Sequence, residues 1–469
     1  MFPYRYRWCL LLAASCVFYM AFIPIYLLIL FSMIVLDYIA GILIEQFEGR
    51  KRKLFLTMSL LSNVGVLAFF KYYNFFGGNL TRLAGWIHWH YSTPILAIAL
   101  PLGLSFHTFQ AMSYNIEVYR HKQKAERNLG VFALYVMFYP QLVAGPIERP
   151  AHLIHQFYEK YDFDYKRVTD GLKLMLWGLF KKIVIADQIA PIVDKVYNHP
   201  VGCEGAVLIM ATVLFAFQIY CDFSGYSDIA VGAAQVMGFK LINNFRSPYF
   251  SKSVSEFWTR WHISLSLWFR DYLYIPLGGN RVCKWRWYYN LFVVFLVSGL
   301  WHGAKWTFVI WGALNGFYIL FSLWTAEARN TVCRLVGLAQ FPVFHRCLGT
   351  LCTFSFICFA WIFFRANSLA DAGYITTHIF KGWKECGTFH GLAHSVAAAL
   401  PGVTKARLTL IACPIILLEF VHGIQQRRSI REVLNCKPIW VRWPVYYVLI
   451  LSIILSSAEA SRQFIYFQF

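Results

Sequence analysis

Hydrophobic residues along this chain gather into twelve runs, at about 8 to 20, 23 to 44, 54 to 70, 93 to 116, 130 to 144, 171 to 195, 205 to 222, 287 to 301, 304 to 324, 346 to 364, 406 to 423 and 443 to 457. A helix needs roughly 20 apolar residues to cross hydrocarbon, and several runs fall short of that. The pattern therefore predicts about ten to twelve tilted transmembrane helices, with the shorter segments re-entrant or interfacial. A different pattern occupies 253 to 279, SVSEFWTRWHISLSLWFRDYLYIPLGG. In helical projection Trp258, Trp261, Leu265, Trp268 and Tyr272 share one side, and Ser255, Thr259, His262 and Ser266 another. That predicts one amphipathic helix at the membrane interface, with His262 in its polar stripe. No repeat, low-complexity linker or soluble-domain stretch intervenes, so one all-α membrane domain over 1–469 is the expected organisation.

Composition agrees. Hydrophobic residues make up 58% and charged residues 14%, too little charge for a water-facing shell, while 19% aromatic content fits interface belts. Disorder and collagen-like repeats are excluded, and the long continuous runs exclude an outer-membrane barrel of alternating strands. Lys and Arg number 43 against 23 Asp and Glu, a net charge of +20. Much of it lies in clusters at Arg50 to Lys53 and at Arg120 to Arg127, two crossings apart, and in Arg5 and Arg7 before the first run. The positive-inside rule then places all three, and the N-terminus, in the cytoplasm. No basic motif has a groove-reading context, so nucleic acid is not an expected partner; membrane lipid is. The first run continues into a second at Ala21 without a small-x-small cleavage site and reads as a retained span. The twelve cysteines form no CxxC and no zinc-ligand spacing, so they read as small buried hydrophobes and no metal site is expected.

Polar groups at membrane depth are expensive, and three stretches carry them. The first follows Asn290, LFVVFLVSGLWHGAKWTFVIWGALNGFYILFSLW, broken at Ser298-Gly299 and His302-Gly303. Two spans joined by a tight break fit it, and the freed backbone must pack in protein or line a cavity. His302 at that break can take and return a proton near neutral pH, given a reference pKa of about 6.5. The plainer alternative is that it hydrogen-bonds a carbonyl and holds the bend. The second is the interfacial stretch with His262, whose alternative is a solvated face without chemistry. The third, Gln218 to Asp228, holds Asp222 and Asp228, which need partners; a histidine or arginine of the other two stretches would serve. Lys181 and Lys182 are expected to snorkel to the cytoplasmic surface. GxSxG, HExxH, Walker and GxGxxG signatures are absent.

The segments SGLWHGAKWTFVIWG at 298 to 312, EFWTRWHISLSLWFRDYLYIPLGGNR at 256 to 281 and QIYCDFSGYSDIAVG at 218 to 232 resemble the membrane-bound O-acyltransferase family, in particular its bacterial polysaccharide-modifying branch. LPLGLSFHTFQAMSY at 100 to 114, FYPQLVAGPIERP at 138 to 150, GLFKKIVIADQIA at 178 to 190, FFKYYNFF at 69 to 76 and WIFFRANS at 361 to 368 extend the likeness over most of the chain. The resemblance implies a ring of tilted helices around a thin central chamber, with His302 as the catalytic histidine and His262 as a second polar position. It also implies transfer of an acyl group, acetyl here, from a cytoplasmic thioester such as acetyl-CoA across a bacterial inner membrane toward an envelope or exported polysaccharide such as alginate. A periplasmic partner O-acetyltransferase would finish the transfer, and no permanently bound cofactor is implied. Members of this branch usually carry a further hydrophobic segment before the arginine-rich start, and an aromatic residue where this chain has His107.

The expected chemistry is general-base catalysis by His302 on an acceptor hydroxyl attacking the thioester, with Asp222 or His262 orienting the imidazole. Asn280 and the Gly303 amide are oxyanion candidates by sequence proximity. Tyr466, in the tail FIYFQF, is a candidate acyl relay or else an interfacial anchor. The alternatives are O-acetylation of peptidoglycan or cellulose, D-alanyl transfer to teichoic acid and, in another class, a secondary transporter, which would need paired broken helices where the sequence offers one break.

Overall fold

The structure is a computed structural model that describes residues 4–97, 101, 103–142, 145–203, 205–381 and 404–457, all helix and connecting loop with no strand among them. Tyr466 lies outside the described residues. Among the described residues, seven helical stretches are long and apolar enough to cross a membrane, at 26–46, 49–86, 205–237, 306–324, 342–365, 406–425 and 439–457, so the chain is a multi-pass membrane protein. The backbone divides into two compact units, Met1–Met175 with Ala230–Asn243, and Leu176–Ile229 with Asn244–Phe469.

The first unit contains α1 (Arg7–Met20), α2 (Tyr26–Gln46) and α3 (Gly49–Leu67), which runs through a π-helical turn at Ala68–Tyr72 into α4 (Tyr73–Trp86). α5 (Leu104–Tyr119), α6 (Leu129–Met137) and the single turns α7 (Tyr139–Leu142) and α8 (Pro150–Leu153) follow, and α9 (Tyr165–Leu179) begins here. Two predicted spans are reassigned. α1 has 14 residues, short of a crossing. The run predicted to span at 130 to 144 forms α6, nine residues started by the Asn128 side chain accepting from the Gly130 and Val131 amides. Val131 to Phe138 are buried in protein, so that apolarity serves the core and not lipid. Asp37 of α2 is also buried, accepting hydrogen bonds from Ser59 Oγ (2.7 Å), Asn63 Nδ2 (2.8 Å) and Asn115 Nδ2 (2.8 Å).

In the second unit a π-helical turn, Phe180–Ala186, leads from α9 into α10 (Asp187–Asn198), and α11 (Gly205–Met237) contributes its residues up to Ile229. Then come α12 (Val254–Arg260), α13 (Ile263–Phe269), α14 (Lys284–His302), α15 (Trp306–Trp324), α16 (Ala326–Leu335), α17 (Pro342–Arg365), α18 (Leu369–His378), α19 (Lys405–Gln425), α20 (Ile430–Asn435) and α21 (Ile439–Ser457). Of the described cysteines, Cys203, Cys221 and Cys358 are buried as expected, whereas Cys283, Cys347, Cys352, Cys413 and Cys436 are exposed on the protein. Cys352 and Cys413 sit within spans, where the outward face meets hydrocarbon and a small apolar side chain is equally at home.

Candidate active site

α14 and α15 form a hairpin whose backbones touch. A Cβ on Gly299 would stand 2.3 Å from the Phe308 carbonyl oxygen, and one on Gly312 would stand 2.4 Å from that of Phe295. Such contact needs glycine on both sides, as small-residue interfaces in membranes generally do. The turn is three residues long, and Gly303 is fixed in it by the Phe308 ring, which would meet a Cβ at 2.2 Å. The predicted break is therefore real, and His302 is the last residue of α14.

The His302 side chain is buried, at 4% exposure, inside a box of rings. Trp311 of α15 meets the imidazole edge to face at 5.0 Å and 85°, Phe364 of α17 at 5.3 Å and 71°, and Trp301 packs beside it at 5.0 Å. Trp311 is in turn stacked on Trp361, at 5.8 Å and 17°. Trp361 and Phe364 escaped notice as site residues, although their i, i+3 spacing beside Arg365 places them on one face of α17.

His262 reaches the same neighbourhood by a different route. The continuous helix predicted over 253 to 279 is broken, because α12 stops at Arg260 and His262 takes a left-handed conformation, φ 43°, before α13 begins. Asn244 holds the break: its carbonyl accepts from the Ile263 amide at 3.0 Å, and its Oδ1 accepts from the Ser264 amide at 3.2 Å and Oγ at 2.7 Å. Left-handed backbone at a non-glycine residue is uncommon and persists where neighbours over-determine it. The turn aims the His262 ring into the protein, against Phe223 at 4.7 Å and Trp301 at 6.3 Å. Trp301 thus contacts both imidazoles. Burial pushes His262 down to about 3, so it is neutral throughout the physiological range.

The two predicted acids are paired with lysines. Lys182 Nζ lies 2.6 Å from Asp222 and 2.8 Å from Asp187, while Lys181 Nζ lies 2.7 Å from Asp228 and 2.9 Å from Ser224 Oγ. Both lysines are buried, not snorkelling as expected. They sit in the π-helical turn where Gly178 and Gly225 let two backbones approach, a Cβ on Gly178 falling 2.6 Å from the Gly225 oxygen. Two buried lysines demand buried carboxylates, since either charge alone would cost several kcal/mol.

Of the oxyanion candidates, the Gly303 amide donates to the Gly299 carbonyl at 3.4 Å, closing α14. Asn280 is exposed on the turn before α14, and that helix of 19 residues, about 28 Å long at 1.5 Å per residue, stands between it and His302. Asn290, which drew no attention in the sequence, is fully buried and donates to the Leu277 and Gly279 carbonyls at 3.1 Å each, closing the Pro-Leu-Gly-Gly turn. His107 belongs to the first unit, with Nδ1 at 3.2 Å from the Val136 oxygen. Among the described residues, no three His, Cys, Asp or Glu side chains gather as metal ligands do.

The family model for MBOAT, the membrane-bound O-acyltransferase family, matches residues 127–372, which include both histidines. A protein of Azotobacter vinelandii named "Probable alginate O-acetylase AlgI" is 36% identical over 435 residues, covering 90% of this chain and 81% of that protein. The "Peptidoglycan O-acetyltransferase" of Helicobacter pylori is 37% identical, covering 77% of this chain and 71% of its own. A "Teichoic acid D-alanyltransferase" of Bacillus subtilis is 27% identical over 56% of this chain and 68% of its own. With a family match over more than half its length and relatives above 30% identity over most of it, this chain belongs to the membrane-bound O-acyltransferase family and is an O-acyltransferase.

Proposed function

We propose that this enzyme passes an acetyl group from a cytoplasmic thioester, acetyl-CoA or another acyl thioester, across the bacterial cytoplasmic membrane for O-acetylation of an envelope or exported polysaccharide such as alginate. The observation that carries this reading is His302, buried among aromatic rings at the end of a glycine-tight hairpin. The alginate relative's coverage of 90% of the chain supports the acceptor class, and the Helicobacter pylori relative favours peptidoglycan as the second reading. The family match draws on both compact units, which supports one functional acyltransferase domain over 1–469.

His302 would accept the proton of the acceptor hydroxyl as its oxygen bonds to the acyl carbon. The carbon–sulfur bond then breaks, and the proton passes to the departing thiolate. General-base assistance of this kind contributes about 10² to 10⁴-fold. The aromatic walls would keep water from hydrolysing the thioester, and neutral His262, across Trp301, would help to position that wall and the catalytic ring. Asp222 is held by Lys182 and Asn280 stands a helix length away; the Gly303 amide could serve as oxyanion donor only by exchanging its long 3.4 Å bond to the Gly299 carbonyl for the acyl oxygen. A periplasmic partner O-acetyltransferase would take the group onward, with Tyr466 as its relay.

The test compares cells carrying the wild-type chain, His302→Ala and a deletion at matched membrane levels, measuring ester-linked acetate on envelope polysaccharides by mass spectrometry. Acetate should fall to the deletion level in His302→Ala; acetate at the wild-type level would return His302 to a structural role. Tyr466→Phe should lose acetate as well, and normal acetylation in that variant would leave Tyr466 as an interfacial anchor.

A further inference from the structure

One wall of the His302 box has polar side chains directly behind it. They line a cavity of about 250 Å³, where Asp194, Asn198, Lys305, Arg365 and Asn367 stand opposite Phe308 and Phe364. That is room for several water molecules, each of which takes roughly 30 Å³ in the liquid. Arg365 donates to Asp194 at 2.7 Å and Asn367 to Asn198 at 3.0 Å, so the polar side is a hydrogen-bonded rim. Asn198, Lys305 and Asn367 are exposed, and the cavity opens to the surface through them. Phe308 and Phe364, each 1% exposed, close its inner end.

Phe364 belongs to both spaces. It faces the imidazole at 5.3 Å and also lines the cavity. Its ring has little freedom to swing aside, because Phe308 meets it at 5.0 Å and 89°, Trp361 at 5.1 Å and 83°, and Trp311 at 5.2 Å and 66°. Edge-to-face contacts of this kind fix a ring's orientation as well as burying it. Phe308 is held in turn against the Gly303 backbone. The partition between the polar cavity and the imidazole is therefore one ring thick and clamped by three others.

We propose that Phe364 sets the reaction specificity of this enzyme, keeping it a transferase, and that without this ring the same imidazole hydrolyses the thioester with water from the cavity. The inference rests on reading His302 as the acyl-transfer base. An apolar void left by truncating a core ring ordinarily stays dry. The void left by Phe364 would differ, because it would open on the imidazole at one end and on the polar rim at the other, so water entering it has hydrogen-bond partners at both ends. Such a water competes with the acceptor hydroxyl for the same chemistry. Its oxygen bonds to the acyl carbon as His302 takes one of its protons, the carbon–sulfur bond breaks, and that proton passes to the thiolate. The products are the free carboxylic acid and the thiol. Phe364 acts here as a specificity residue, through the base and the space beside it.

The experiment gives acetyl-CoA, without any acceptor, to the full chain in lipid nanodiscs and follows the release of free thiol. The wild type should release it slowly. Phe364→Ala should release it at least about tenfold faster, within the roughly 10² to 10⁴-fold that a general base contributes. Phe364→Leu, which refills most of the space, should fall between the two. The rise should vanish when Phe364→Ala is combined with His302→Ala. An unchanged rate in Phe364→Ala overturns the proposal, and so does a rise that survives in the double variant, because water is then attacking without the imidazole. Thermal midpoints show which variants are folded, and where Phe364→Ala is not, Phe364→Val opens a smaller gap and carries the same expectation. Acetate on the polysaccharide in His302→Ala cells tests the catalytic reading by itself, so the two failures are separately visible.

Discussion

Asp37 in the first unit and His302 in the second are nearly equally buried, at 1% and 4% exposure, but by different materials. Asp37 is surrounded by donors: Ser59 and Asn63 from α3 and Asn115 from α5 all point hydrogens at one carboxyl group and so tie three helices together. His302 is surrounded by the rings of Trp301, Trp311 and Phe364. Donors saturate the group they bury, whereas ring faces fix its position by shape and compete weakly for its protons. A buried polar residue of the first kind is a structural knot, and one of the second kind is, under the proposed function, placed for chemistry.

The sharpest way to break this contrast is to truncate both residues. His302→Ala should reduce acetylation about 10² to 10⁴-fold while the purified protein keeps its thermal midpoint. Asp37→Ala should do the reverse, stranding buried donors at about 1 to 3 kcal/mol each and lowering the midpoint, while the protein that remains folded keeps its turnover. Loss of turnover without loss of stability in Asp37→Ala would erase the distinction. Phe364→Leu should have a smaller effect, costing under about 1.5 kcal/mol of stability and slowing acetylation several-fold as the imidazole loses one wall. A Phe364→Leu enzyme as fast as the wild type would mean that the box does not position the ring.

The smallest expected effect is a pH dependence in the first unit. Glu148, buried and accepting from the Ile242 amide at 2.6 Å, also bonds His152 Nδ1 at 2.6 Å, and that hydrogen bond raises the His152 pKa. A raised folded-state value means the pair's contribution is fully present below the unfolded pKa of about 6.5 and is lost as pH rises through the folded value. The thermal midpoint of the wild type should therefore exceed that of His152→Gln by more at about pH 6 than at about pH 8.5, and a difference independent of pH would remove the ionised pair from the account.

The α14–α15 hairpin was legible in the sequence because everything that makes it is local: two apolar runs, glycines that permit contact, and a histidine at the break. The bend at His262 was not, because the three-and-four spacing of its aromatics continues unbroken while Asn244, which imposes the bend, lies outside any helical window. Lys181 and Lys182 were misplaced for a related reason. Lys182 has Asp187 close by in sequence, but Asp222 and Asp228 lie 40 and 47 residues beyond their lysines, and a lysine pair after an apolar run looks the same whether it reaches water or a carboxylate. α6 looked like lipid-facing helix because composition does not say whether hydrocarbon or protein surrounds a run. Local pattern thus revealed the histidine-bearing end of the hairpin, while the walls and counter-charges around it depend on pairings between distant segments.

The glycine contact between α14 and α15 has a mechanical consequence. With two backbones in touch and a three-residue turn, the hairpin has no slack by which its tip could rise or sink. The imidazole is a post at a fixed depth, so an acyl donor arriving from one side and an acceptor from the other must both travel to that level. Under the proposed function, only the reacting group would then cross the barrier between the two substrates.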